Sequence, residues 1–148
     1  MTIVLLAIFG AIIAAVIGTL WYMPSTPMGR VHMRYIGFDK LTPEEQKRKM
    51  EESKPQMFGM YAGQMLFSFL TSLAVVFIVI MSIRNGVSTS LAFGFVLVNW
   101  LCFMVPVIGS GVIWGNVDRA IAWKKFLSDA ASNLVTVLVI AAIASFFA

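Results

Sequence analysis

Charged side chains are missing from four long stretches of the chain, and these stretches define its architecture. Between Thr2 and Gly29 nothing is charged, and Ile3 to Met23 is almost continuously apolar. Charge is absent again between Lys54 and Arg84, and between Arg84 and Asp118. The last apolar stretch carries one acid, Asp129, in its first turn. About 20 such residues take a helix across a hydrocarbon core of about 30 Å. Lipid offers the backbone no partners, so each crossing must satisfy itself, and the alternation of a β-barrel is absent. The pattern predicts an all-α integral membrane four-helix bundle with spans at about 3–23, 57–83, 87–108 and 126–148, one transmembrane domain over residues 1–148. The first span lacks a basic n-region and is too long for a signal-peptide core, so it reads as a retained helix. Trp21 and Tyr22 at its end, with Trp114 and Trp123 later in the chain, are rings suited to the membrane interface.

The connections carry signals of their own. Pro24-Ser25-Thr26-Pro27-Met28-Gly29 breaks the first span and turns the chain. In the loop 24–56, Thr42-Pro43-Glu44-Glu45 reads as a capped helix start, with Thr42 as N-cap and Glu45 completing a capping box. Glu44 with Arg48, Glu45 with Lys49, Lys47 with Glu51 and Arg48 with Glu52 lie four apart, which predicts a short charged helix over about 43–53, ended before Pro55. Arg84-Asn85-Gly86 supplies a tight turn, so the second and third spans pack as a hairpin. Trp114, Val117 and Ile121, opposed by Asp118, Arg119, Lys124 and Lys125, predict a short amphipathic interfacial segment before the last span.

Composition agrees: of 148 residues, 59% are hydrophobic and 12% charged, which excludes a soluble globular domain and a disordered chain. The basic residues then set an orientation. Arg30, Arg34, Lys40, Lys47, Arg48, Lys49 and Lys54 occupy the first loop, Arg119, Lys124 and Lys125 the third, and Arg84 alone the second. Ten against one places the loops 24–56 and 109–125 in the cytoplasm and both termini outside, in a cytoplasmic (inner) membrane. Nearby anionic lipid accounts for the net charge of +4. Five acids mixed into the first loop argue against nucleic acid as a partner.

Small residues recur four apart at Gly10, Ala14 and Gly18, at Gly59 and Gly63, and at Gly111 and Gly115, a spacing that lets helix backbones approach closely in lipid. Polar residues within the spans are the better functional candidates because lipid makes them expensive. Gln64, Ser68 and Thr71 share one face of the second span, and Asp129, Asn133 and Thr136 one face of the fourth. Asn99 sits mid-way in the third. These seven form either interhelical hydrogen bonds or a polar path, and Asp129 is close enough to the surface to cap its helix. His32, the single histidine, reads as a surface residue. Cys102, the single cysteine, excludes an intrachain disulfide and reads as a small apolar side chain. No catalytic, cofactor-binding or metal-binding constellation emerges. There is no His-Glu-x-x-His, nucleophile elbow or Walker loop, no Ser–His or Asp–Asp pair within the spans, and no paired histidines for haem. Gly109-Ser110-Gly111-Val112-Ile113-Trp114-Gly115 has the glycine density of a dinucleotide loop but no strand before it.

Gly18-Thr19-Leu20-Trp21-Tyr22-Met23-Pro24, then Gly29-Arg30 and Tyr35-Ile36-Gly37, Trp100-Leu101-Cys102-Phe103, and Trp114-Gly115-Asn116-Val117-Asp118-Arg119 together resemble a bacterial membrane-protein family of unknown function, domain-of-unknown-function family 1761. The resemblance covers nearly the whole chain in order and spacing, with Trp-Tyr-x-Pro its most distinctive element. Asp129-Ala130-Ala131 departs from the Asn followed by Gly-Tyr that the family often shows early in the fourth helix. The resemblance implies the four-helix layout and no activity. The expectation is a non-enzymatic membrane protein without cofactors, a structural or accessory subunit that forms homo-oligomers or accompanies a partner membrane protein. The rival is a small homo-oligomeric permease or channel with a polar path between the helices.

Overall fold

The computed structural model describes residues 2–115 and 117–148, with Ile113 by its backbone; Asn116, inside the Trp114–Arg119 stretch, lies outside the described residues. Four helical segments are long and apolar enough to cross a membrane, and they pack as an all-α bundle. Helix α1 (Ile3–Trp21) packs on α3 (Pro43–Arg84) and α6 (Arg119–Ser145). Helix α4 (Thr89–Asn99) runs through a π-helical turn (Trp100–Met104) into α5 (Val105–Ile113), and this composite third span lies against α3 and α6.

Residues 24–56 are more ordered than the sequence suggested. Helix α2 (Pro27–Tyr35) occupies part of what was expected to be only a turn. Its start repeats the Thr-Pro signature of residues 42–43: Thr26 Oγ1 accepts from Gly29 N–H, and Pro27 stands where no backbone donor is needed. Gly29 is obligatory there, because a Cβ would lie 1.8 Å from the Met23 carbonyl oxygen. At Thr42 the expected capping box forms in full, with Glu45 accepting from Thr42 N–H and Thr42 Oγ1 accepting from Glu45 N–H.

The charged helix does not end before Pro55. It continues without a break into the second span, giving one helix of 42 residues, about 63 Å long at 1.5 Å per residue. A proline forfeits one i to i−4 bond, here to Glu51, and crowds that carbonyl. Glu51 is exposed, so water can take up its carbonyl, while the capping box upstream and the packed span downstream hold both flanks helical.

The interfacial segment expected over residues 114–125 is also replaced. Helix α5 ends at Ile113, and Asp118 starts a new helix by accepting from Ala120 N–H and Ile121 N–H through Oδ1. That helix runs directly into the last span, so Trp114 and Ile121 do not share a helix face.

The π turn has a local cause. Pro106 has no N–H for Cys102, and one residue earlier Val105 N–H reaches back to Trp100 O, widening the helix. The hairpin between α3 and α4 closes on Gly86 at φ 81°, the left-handed region that glycine enters without strain.

The dry core occupies the half of the bundle that carries the termini. Leu6 of α1, Val76, Val79 and Ile80 of α3, Val96 of α4 and Val137 and Ile140 of α6 are almost fully buried there. At the lower edge of this core Gly10 brings α1 hard against α3: a Cβ would sit 2.0 Å from Ser72 Oγ.

Candidate functional site

Below the dry core, toward the end that carries the loops 24–56 and 109–125, the space between the helices turns polar and opens to the outside of the bundle at Gln64, which is exposed. The sequence places short polar side chains on α3 and α6 at helical spacing, and the packing of α1 against both helices leaves the two polar faces bordering one space. A cavity of about 360 Å³ results. Gln64, Ser68 and Thr71 line it from α3, and Asp129, Ser132, Asn133 and Thr136 from α6. Ala14 and Gly18 of α1 give it width, since a Cβ on Gly18 would meet nothing within 4 Å.

Six of the seven polar candidates thus come together. Asn99 does not; it ends α4, half-buried, just before the π turn, and is not among the lining residues. Within the cavity the polar groups are partly satisfied. Gln64 Nε2 donates to Ser68 Oγ at 3.4 Å, and Thr136 Oγ1 donates to Ser132 O at 2.9 Å. Asn133 Oδ1 is buried with no protein partner. A buried amide oxygen without a donor costs on the order of 1–3 kcal/mol, a cost that turning the amide toward the cavity would relieve.

At the loop end of the cavity, Asp129 belongs to an ion pair held by aromatic rings. Lys125 Nζ bonds both carboxylate oxygens of Asp129, one helical turn further along α6. Tyr22 O–H donates to Asp129 Oδ1 at 2.5 Å, and the Lys125 ammonium lies 5.1 Å from the Tyr22 ring centroid and 5.7 Å from that of Tyr35. Trp21 Nε1–H donates to Ser128 Oγ at 3.1 Å. Lys125 is only 8% exposed, which a lysine tolerates when it is paired and faced by π electrons.

Helix α2 packs against α6 behind this ion pair. Its His32 ring lies 5.4 Å from that of Tyr22, and His32 Nδ1 is buried without a partner. Burial holds the His32 pKa below the usual imidazole value; the nearby Lys125 charge pushes the same way and Asp129 opposes it. A neutral imidazole is therefore favoured at neutral pH.

Sequence reasoning missed most of this cluster. Trp21 and Tyr22 point into the protein rather than serving only the lipid interface, and His32 packs against Tyr22 rather than lying free on the surface. Ser128 and Ser132 drew no notice, and Lys125 and Tyr35 were not read as site residues, although Lys125 and Asp129 carry the i, i+4 spacing of an ion pair. Trp114 and Trp123 are exposed, as lipid-interface rings would be. Of the small residues, Gly10 makes a close approach, but a Cβ on Gly18, Gly59 or Gly63 would meet nothing within 4 Å. The close packing expected at these three does not occur within the chain: Gly18 borders the cavity, and the part of α3 around Gly59 and Gly63 is largely exposed.

The site is electrically balanced, one cation against one anion, and otherwise offers amide and hydroxyl groups. Among the described residues, no group of three His, Cys, Asp or Glu side chains is placed to hold a metal ion. The arrangement can accept and donate hydrogen bonds to a small uncharged molecule; it has no surplus charge to repay the desolvation of an ion. No curated protein and no solved structure matches the chain. A family model does match, over residues 5–145, and its description is "Protein of unknown function (DUF1761)". That match takes in all four spans and both long loops, and the chain belongs to the DUF1761 family.

Proposed function

We propose that this membrane protein is a small permease that takes an uncharged, hydrogen-bonding solute into the cavity between α1, α3 and α6, without catalysing a reaction on it. The observation that carries this reading is the convergence of Gln64, Ser68, Thr71, Asp129, Asn133 and Thr136 on one space of about 360 Å³. Small-molecule sites begin at about 300 Å³, so the space is of the right order for a few heavy atoms with their hydrogen bonds. Interhelical hydrogen bonding alone would close such polar faces on each other. The dry core through Val79, Ile80 and Ile140 seals the cavity toward the terminal end, so passage requires a second state in which that core parts.

In the same reading the protein lies in a cytoplasmic membrane with both basic loops inside, as the ten-to-one bias of Lys and Arg supports. The cavity then faces the cytoplasmic half. Shrink–swell light scattering of proteoliposomes tests the proposal, with urea and glycerol as uncharged probes and potassium formate as the charged control. Flux of either uncharged probe above that of protein-free vesicles, abolished by Asn133→Leu, is the expected result. Flux equal to that of empty vesicles for both overturns it.

A second reading, a self-associating or accessory subunit, is favoured by one feature: Phe58, Met60 and Tyr61 of α3 are 84%, 68% and 63% exposed beside the open Gly59 and Gly63. Native mass spectrometry from mild detergent distinguishes a homo-oligomer from a complex with a second protein.

A further inference from the structure

We infer that the groove between α5 and the start of α6 is a binding site for one anionic phospholipid, with the phosphate at Arg119 and an acyl chain along the groove. The glycine-dense stretch 109–115 has no phosphate-cradling loop; Gly109 to Ile113 are helical. Its glycines shape a wall instead. A groove of about 430 Å³ runs along it, lined by Gly109, Val112 and Gly115 on one side and Ala122, Trp123 and Phe126 on the other, with Arg119 at its mouth. This groove is separate from the polar cavity, with which it shares no lining residue.

Three observations select a lipid over another occupant. Apart from Arg119 the lining side chains are apolar or aromatic, or glycines without one, so the body of the ligand must be hydrocarbon. Two glycines keep the groove's shape: a Cβ on Gly109 would press to 3.3 Å from Phe126 Cε2, and one on Gly115 to 2.9 Å from the Tyr35 hydroxyl. The charge then stands at one end only. Arg119 is the first residue of α6, and no ion pair engages it among the described residues. A guanidinium matches a phosphodiester in a bidentate way, and a basic residue next to interfacial rings is where anionic headgroups sit. Trp123, edge-on to Phe126 with centroids 5.5 Å apart, supplies such a ring at the groove's flank.

The test is native mass spectrometry of the full chain, delipidated in detergent and titrated with phosphatidylglycerol or phosphatidylcholine of the same acyl chains. One retained phosphatidylglycerol per chain, held at least several-fold more strongly than phosphatidylcholine, is expected. Arg119→Gln should weaken that retention about tenfold, the loss of one charged hydrogen bond, and weaken phosphatidylcholine less, because the choline cation already offsets its phosphate. Because Arg119 is exposed, the variant should fold, which circular dichroism verifies. Equal retention of the two lipids overturns the proposal. So does a preference that survives Arg119→Gln and is lost instead when Arg30 and Arg34 are neutralised. Displacement by millimolar inorganic phosphate would mean that the groove's hydrocarbon contacts contribute nothing, and would equally overturn it.

Discussion

Tyr22, one residue past the end of α1, donates its phenolic hydrogen to Asp129 of α6 across 107 positions of sequence, and the same carboxylate receives the Lys125 ammonium. One carboxylate thus ties the first span to the last and keeps a lysine paired inside the bundle. The wall of the cavity and the register of α1 against α6 depend on the same atom pair, so stability and solute passage should respond together to its removal.

The order of damage at this wall follows from what each substitution leaves behind. Tyr22→Phe removes one hydrogen bond and should cost about 1 kcal/mol. Asp129→Leu strands the Lys125 ammonium at 8% exposure and should cost more, about 3 kcal/mol. Pairing it with Lys125→Met removes both charges and should recover much of that loss. Thermal unfolding in detergent, followed by circular dichroism, gives the ranking; a double variant no better than Asp129→Leu alone would show that the pair acts by something other than mutual compensation.

His32 gives this cluster a pH dependence of known sign. Its folded pKa is lowered, first by burial and then by Lys125, with Asp129 opposing. The unfolded chain therefore takes up a proton at about pH 6.5, where the folded one still resists it. The stability from keeping this ring neutral is fully present above pH 6.5 and is lost as the pH falls from there toward the folded pKa. Comparing the melting temperatures of the natural chain and His32→Gln from pH 8 to pH 5 should show the two curves diverging below 6.5, the natural chain falling faster. Parallel curves would remove His32 from the account.

The glycines separate packing within one chain from packing between chains. Gly10→Ala puts a Cβ 2.0 Å from Ser72 Oγ, and overpacking of this kind costs about 1–3 kcal/mol. Ser72→Gly in the same chain should restore part of it. Gly59→Ala and Gly63→Ala meet no neighbour within 4 Å and should be neutral or slightly stabilising in the monomer through helix propensity. Should either substitution instead shift the oligomer distribution in native mass spectrometry, another copy of α3 packs there.

What the sequence made legible was whatever depends on one segment at a time. The absence of charge between Lys54 and Arg84 marks a span wherever the helix goes next, and Thr42 with Glu45 forms its capping box from four adjacent residues. The common helical face of Asp129, Asn133 and Thr136 is likewise a property of one helix. That this face meets Gln64, Ser68 and Thr71 around a cavity depends on where α1 inserts, which no single segment specifies. Tyr22 illustrates the limit. Beside Trp21 at a span end it has the position of a lipid-facing anchor, and only the return of α6 shows that its hydroxyl turns inward. Helix α2 was legible in principle, since Thr26-Pro27 repeats Thr42-Pro43, but nine residues lie below the length at which a helix holds without packing, and that packing comes from α6.

Pro55 is where a local rule and the tertiary structure disagree most, and the disagreement is measurable. A proline inside a helix costs about 3 kcal/mol in isolation, which is why the charged helix was expected to end before it. The continuous α3 requires that the capping box, the charged pairs upstream, of which Arg48 with Glu52 forms at 3.7 Å, and the cooperativity of the long span outweigh that cost. Spin labels at Lys47 and Ala62, both exposed, bracket the proline by fifteen residues, about 22 Å along an unbroken helix. A single narrow distance near that value in lipid nanodiscs is the expected outcome, and Pro55→Ala should leave it in place while raising the melting temperature. A broad or markedly shorter distance in the natural chain, sharpened by Pro55→Ala, would mean that the helix breaks there. Residues 43–53 would then form the separate short helix that their own sequence describes.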